Sequence, residues 1–229
     1  MIDAFETSVR INQNATFFTF VDAAGNEASY TYRQARLISA ALARRLRSLG
    51  AIPGSTVVVD VPNSPELVFL ILASAYGGFS LALLDASAPE ADRLSQTLSL
   101  ERSHLDVSLK IDASKLHQIL GRSRQIAYRT MDESTLIEGI SGSTRWERSI
   151  MGERQDVIDD TIHFAERAAH LFNADSVGLI TFANGEFGAS KIVPLEWAQL
   201  MSASMMVNEV LGHEGKQLWQ EKLPFSSRN

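Results

Sequence analysis

The chain has 229 residues, 45% apolar and 21% charged, a globular composition that argues against disorder and predicts one or two domains with a proper core. Lysine plus arginine number 21 against 27 aspartate plus glutamate, a net charge of −6. That balance disfavours a nucleic-acid partner, which needs cations to displace phosphate counterions. Cysteine is absent, which removes disulfides, thiolate metal sites and cysteine nucleophiles and fits a reducing compartment, so a cytoplasmic location is expected.

From the N-terminus, Met1-Ile2-Asp3-Ala4-Phe5-Glu6 carries acids where a signal peptide needs cations and an apolar run. Residues 16–32 predict two short strands, one through Phe17, Phe18, Phe20 and Val21 and one through Tyr30 and Tyr32. A turn at Ala24-Gly25-Asn26 joins them. The period then becomes helical from Tyr32 to Leu49. Ala35, Ile38, Leu42, Leu46 and Leu49 form the apolar stripe, and Arg33, Arg36, Arg44, Arg45 and Arg47 lie largely off it. Gly50 ends this helix. Val57-Val58-Val59 reads as a strand buried on both faces. Asn63-Ser64-Pro65-Glu66 opens a helix over 66–76, and Phe79–Leu84 is the next strand. The uncharged run Leu67–Leu84 is just long enough to suggest a membrane span, but Gly77-Gly78 splits it and Glu66 and Asp85 flank it, so no span is expected. Helix and strand alternating at this spacing imply crossover units and a mostly parallel sheet.

Further on, the pattern predicts a helix over 91–100, a strand near Leu105–Leu109, a helix over 113–121 and a strand at Gln125–Tyr128. Residues 129–156 are polar and read as a surface loop. Val157, Phe164, Ala168 and Leu171 give a helical stripe. Val177–Phe182 is a compact strand, followed by a glycine-bearing loop over 183–190, then Lys191–Leu195 and a long helix from Glu196 to Leu211.

The segment Leu179 to Lys191 is the most informative. Gly185 and Gly188 let a backbone turn sharply and bring N–H groups near an anion, and Lys191 supplies a cation. A loop of this kind after a buried strand can cradle phosphate. On spacing alone, an ordinary glycine turn with a surface lysine is the simpler reading. It is not a Walker sequence, because no Gly-Lys-Ser/Thr stands at the required distance.

The order of motifs resembles the N-terminal part of the AMP-forming adenylating enzymes: acyl-CoA synthetases, peptide-synthetase adenylation domains and luciferases. The resemblance rests on Tyr30-Thr31-Tyr32-Arg33-Gln34-Ala35, Leu42–Gly50, Pro53-Gly54 and Val57-Val58-Val59. It continues through Pro62-Asn63-Ser64-Pro65-Glu66, Gly77-Gly78 with Leu83-Leu84-Asp85, the loop at 183–191, and Leu223-Pro224-Phe225. The match is good over 5–92, poor over 93–175 and recognisable again over 176–225.

The resemblance implies an α/β fold of three layers, a mostly parallel sheet with helices on both faces, equivalent to the first large subdomain of such an enzyme. Residues 1–175 would form the N-terminal α/β subdomain. Residues 176–229 would supply the phosphate-loop strand and following helix and begin a second, incomplete subdomain. It implies ATP and Mg2+, a carboxylic acid substrate and a thiol acceptor, either CoA or a carrier protein. The reaction is ATP-dependent acyl adenylation, then transfer to the thiol. Gly185, Gly188 and Lys191 are its nucleotide-binding residues here, and no catalytic or metal-binding residue is assigned. Where the family has small hydroxyl residues around the first glycine, this chain has Ala183, Asn184, Glu186 and Phe187. The family's catalytic lysine would fall beyond Asn229, so this chain alone is expected to be inactive. An alternative is a non-catalytic relative acting as an interaction or assembly module, by self-association or by pairing with a missing C-terminal half. A third, an unrelated doubly wound nucleotide-binding domain, lacks a Gly-x-Gly-x-x-Gly fingerprint.

Other constellations carry less. His163 and His170 lie seven apart with Asp159 and Asp160 nearby, which reads as a solvated helix face rather than a metal site. Met201, Met205, Met206 and Val210 read as core packing. Trp146, Trp197 and Trp219 are too scattered to stack bases.

Overall fold

A computed structural model describes residues 1–22, 25, 27–116, 155–184 and 190–211. The chain opens with helix α1 (Ile2–Asn12), which buries Ile2, Phe5 and Val9. The sequence reading contains no helix here, because Glu6 interrupts the apolar stripe. Its burial is explained only by distant partners. Arg36 donates from Nε to Glu6 Oε1 at 2.9 Å and pairs through Nη2 with Oε2 at 2.8 Å, and the Tyr76 hydroxyl also donates to Oε1. Burial, with the adjacent carboxylate second, raises the Tyr76 phenol far above its ordinary pKa.

Strands β1 (Thr16–Val21) and β2 (Glu27–Thr31) form the expected antiparallel hairpin. Phe18 stacks on Tyr30 with centroids 5.1 Å apart, and Tyr30 meets Phe69 edge-on at 5.0 Å, which fastens the hairpin to the core. Helix α2 (Tyr32–Ser48) starts with a capping box: Thr31 Oγ1 accepts from the Gln34 N–H at 3.2 Å, and Gln34 Oε1 accepts from the Thr31 N–H at 2.9 Å. Arg36 differs from the other arginines of this helix in turning inward onto Glu6.

Next come β3 (Thr56–Asp60), α3 (Pro65–Gly77), β4 (Ser80–Leu83), α4 (Glu90–Glu101) and β5 (Val107–Asp112). After them are α5 (Gln155–His170), β6 (Val177–Asn184), β7 (Ser190–Glu196) and α6 (Trp197–Leu211). The five-stranded sheet has the order β5-β3-β4-β6-β7. Its first four strands are parallel, and β7 runs antiparallel to β6. This is the mostly parallel α/β fold expected of the N-terminal subdomain of adenylating enzymes. The division expected at 175/176 falls just before β6, which pairs with β4 inside this one sheet.

Strand alternation separates two cores. Val57, Val59, Leu81 and Leu83 face the larger one, with α1, α2, α3 and α5. Val58, Ala82 and Ile180 face the smaller one, to which α4 contributes Leu100. The uncharged run is divided between α3 and β4 by Gly78, which ends α3 in the left-handed region at φ 71°. Among the described residues, no helix is long and apolar enough to cross a membrane.

Some boundaries differ from the sequence reading. The strand expected near 105–109 begins at Val107, because Leu105 caps the smaller core instead. Gln155 and Asp156, expected in a loop, open α5. Leu171 lies past the end of α5 and is exposed. Two of the methionines of α6 are not core: Met205 and Met206 are 68% and 66% exposed, whereas Met201 is half-buried. Among the described side chains it is the first turns of this helix, at Trp197 and Leu200, that pack on the core; the Val210 side chain lies outside the described residues. Residues 113–116 are helical. The rest of the helix expected to 121, the strand at 125–128, the loop over 129–154, Trp146, Trp219 and Leu223-Pro224-Phe225 lie outside the described residues.

Candidate functional site

Strand β3 leads into α3 on the face of the larger core, whereas β4 leads into α4 on the opposite face. Connections departing to opposite faces open a crevice at the carboxyl ends of adjacent parallel strands, the usual ligand position in open α/β sheets. A cavity of about 200 Å³ lies there. Its walls are Val59, Val61, Leu67 and Leu83, with Asn63, Asp85 and Ser87 as its polar members. Asp85 is buried and organises the turn after β4. Its Oδ1 accepts from the Ser87 N–H at 2.9 Å and the Ser87 hydroxyl at 2.6 Å, and its own N–H donates to Gln96 Oε1 of α4 at 3.2 Å. At the end of β3, Asp60 forms an ion pair with Arg93 of α4.

Strand β6 runs past this edge. Ala82 of β4 pairs with Ile180, and β6 continues four residues further to Asn184, roughly 13 Å at strand rise. There it turns back into β7. Asn184 pairs with Ser190 and Ala183 with Lys191, so the strand ends that flank residues 185–189 lie beyond the carboxyl end of β4. Gly185 and Gly188 lie between those strand ends, outside the described residues. Lys191 is described. It is exposed on the edge strand, on the sheet face opposite Ile192, and no described carboxylate pairs with it.

The loop exit is tied to α4. The Ser190 N–H donates to Ser95 Oγ at 3.1 Å, the two hydroxyls are 3.2 Å apart, and the Ser99 hydroxyl donates to the Ser190 carbonyl at 2.8 Å.

A family model described as AMP-binding enzyme matches residues 5–224. The chain belongs to the AMP-binding enzyme family. Comparison with curated protein sequences gives no match. Among solved structures, fatty acid AMP ligase from Legionella pneumophila is similar at a TM-score of 0.60 and 14% identity, covering 93% of this chain and 33% of that one. VinN with 3-methylaspartate gives 0.54 at 16% identity, covering 93% and 51%. The Klebsiella oxytoca NpsA N-terminal subdomain in complex with 3-hydroxybenzoyl-AMSN gives 0.54 at 16%, covering 86% and 41%. At these identities the likeness is one of fold. The chain spans between a third and about half of the structures it matches.

In this member of the AMP-binding enzyme family, only Lys191 of the three residues singled out from sequence is described. Sequence reasoning missed Asp60, Asp85, Arg93, Ser95 and Ser99. The legible signal was an aspartate closing each of two successive strands. The serines gave none, because Ser-rich helix faces are common and their partner lies about ninety residues away. His163 and His170 are exposed on α5, where His163 lies 3.6 Å from Glu166. Among the described residues no group of three or more His, Asp or Glu could hold a metal ion.

Proposed function

We propose that this chain is the N-terminal portion of an AMP-forming carboxylate ligase, and that its share of the reaction is to hold the nucleotide phosphates. ATP, with Mg2+, is the co-substrate. A carboxylic acid is activated to an acyl-adenylate with release of pyrophosphate, and the acyl group then passes to a thiol, that of CoA or a carrier protein. The cytoplasm is the proposed compartment.

What supports this reading is membership of the family together with one placement: Asn184 and Ser190, the described ends of the glycine-bearing segment, lie beyond the carboxyl end of β4, with exposed Lys191 next to Ser190. The donor chemistry fits a polyphosphate. Backbone N–H groups freed by Gly185 and Gly188, with the Lys191 ammonium, are the groups that would hold it. Mg2+ would arrive on the phosphates rather than on a preformed carboxylate cage. McyG A-PCP, solved with phenylalanyl-adenylate, and a Legionella pneumophila fatty acyl-adenylate ligase, solved with acyl adenylate and pyrophosphate, share this fold. No catalytic residue is assigned within these residues, so the chain alone is proposed to bind without turning over.

Thermal unfolding with ATP and Mg2+ tests the reading. Ligand at about 100 times its Kd adds about 2.7 kcal/mol, a rise of several degrees for a domain of this size. An unchanged Tm at about 10 mM ATP contradicts a site of useful affinity.

A second reading, an assembly module, is favoured by one observation. Met205, Met206 and Val207, consecutive on α6, leave large apolar side chains exposed at 68%, 66% and 45%. Light scattering decides it: a dimer dissociated by Met205→Ser/Met206→Ser supports association through α6, and a monomer at high concentration removes it.

A further inference from the structure

Among the described residues, strand β7 is the edge of the sheet, so its first residue has a neighbouring strand on one side. At Ser190 the vacant side is taken by helix α4. Ser95 and Ser99 are four apart and therefore on one helical face. Ser95 Oγ accepts from the Ser190 N–H at 3.1 Å, and the Ser99 hydroxyl donates to the Ser190 carbonyl at 2.8 Å while also lying 2.9 Å from the carbonyl of Ser95. Two side chains thus satisfy both backbone polar groups of one residue, as a further strand would.

The helix that carries them is itself fixed to the crevice. Arg93 pairs with Asp60 at the end of β3, and Gln96 accepts from the Asp85 N–H after β4. A continuous path of bonded groups therefore runs from the carboxyl edge of the sheet through α4 to the residue before Lys191. The pair Asn184–Ser190, next to the connection between β6 and β7, is thus held from a third element as well.

We infer that Ser95 and Ser99 are positioning residues for the Lys191 cation: they fix the backbone at Ser190 and so the placement of Lys191. This rests on the phosphate-binding reading proposed above. Holding Ser190 removes freedom at Lys191 before the ligand arrives, so its loss falls on affinity more than on global stability.

The test is ATP with Mg2+ titrated into the whole chain as wild type, Ser95→Ala/Ser99→Ala, Ser95→Thr/Ser99→Thr and Thr97→Ala, with amide exchange followed across residues 190–196. Thr97 is the control: among the described residues its hydroxyl bonds the Arg93 carbonyl of its own helix, at 3.0 Å. We expect the double alanine variant to bind about tenfold more weakly and to exchange faster at the start of β7. The threonine variant and Thr97→Ala should stay within about twofold of wild type. If the double alanine variant does not fold, Ser99→Ala alone carries the same expectation, with a smaller effect. Unchanged affinity despite faster exchange overturns the inference while leaving the phosphate reading intact, and so does equal weakening by Thr97→Ala. No binding by the wild type overturns both.

Discussion

Trp197 packs across Gly178 so closely that a Cβ on this glycine would lie 2.4 Å from Cδ2 and Cε2 of the indole. The ring has no free side to move towards, being 3% exposed and 6.1 Å from the Phe172 ring. Gly178→Ala should therefore destabilise the chain by about 2 kcal/mol, the usual cost of overpacking a filled core. Denaturant unfolding measures it, and a change below about 0.5 kcal/mol would mean that Trp197 is free to shift. Tyr76 gives a second test. Its phenol pKa is raised by burial first and the Glu6 carboxylate second, so the folded chain keeps a proton that the unfolded chain releases near pH 10. The stabilisation is therefore full below about pH 10 and is lost as pH rises beyond it. Between about pH 8 and 11 the unfolding free energy of wild type should fall more steeply than that of Tyr76→Phe. Parallel profiles would show that this phenol is not held protonated by the fold.

At the scale of elements, α2 carries its own start signal, since Thr31 and Gln34 exchange bonds at its first turn. Thr31→Ala should cost about 1 kcal/mol in unfolding free energy, with Thr31→Ser recovering most of it. Signals of this local kind made much of the fold readable in advance. The 3.6-residue stripe of α2, the β-branched run of β3, the proline start of α3 and the glycine stop at its end each depend on neighbours in sequence. What was not readable depends on distant partners. Helix α1 escaped because Glu6 is tolerated inside only through Arg36 and Tyr76, thirty and seventy residues away. The methionines of α6 suggested a core because composition cannot say where a helix leaves the sheet. The same limit applies to the site. Gly185, Gly188 and Lys191 stood out by residue type, whereas Ser95 and Ser99 acquire meaning only from Ser190.

For the molecule as a whole, the sheet order determines which edge can be functional. Two successive crossovers leave β3 and β4 on opposite faces, and the paired ends of β6 and β7, Asn184 and Ser190, lie at that same carboxyl edge. Family membership, the crevice and the hairpin thus converge on one side of the chain. The departures at Ala183, Asn184, Glu186 and Phe187 bear on how strongly that side holds phosphate. On the proposed reading, the Glu186 carboxylate in this segment is a negative charge near an anionic ligand, so the Lys191 cation and Mg2+ would matter more to binding. The most direct measurement is calorimetric titration of ATP with Mg2+ into the 229-residue chain, as wild type and as Lys191→Ala. The account predicts saturable binding by wild type and about tenfold weaker binding by the variant, the loss expected for one charge-assisted contact. Equal binding by the two proteins, or none by either at millimolar nucleotide, would contradict it.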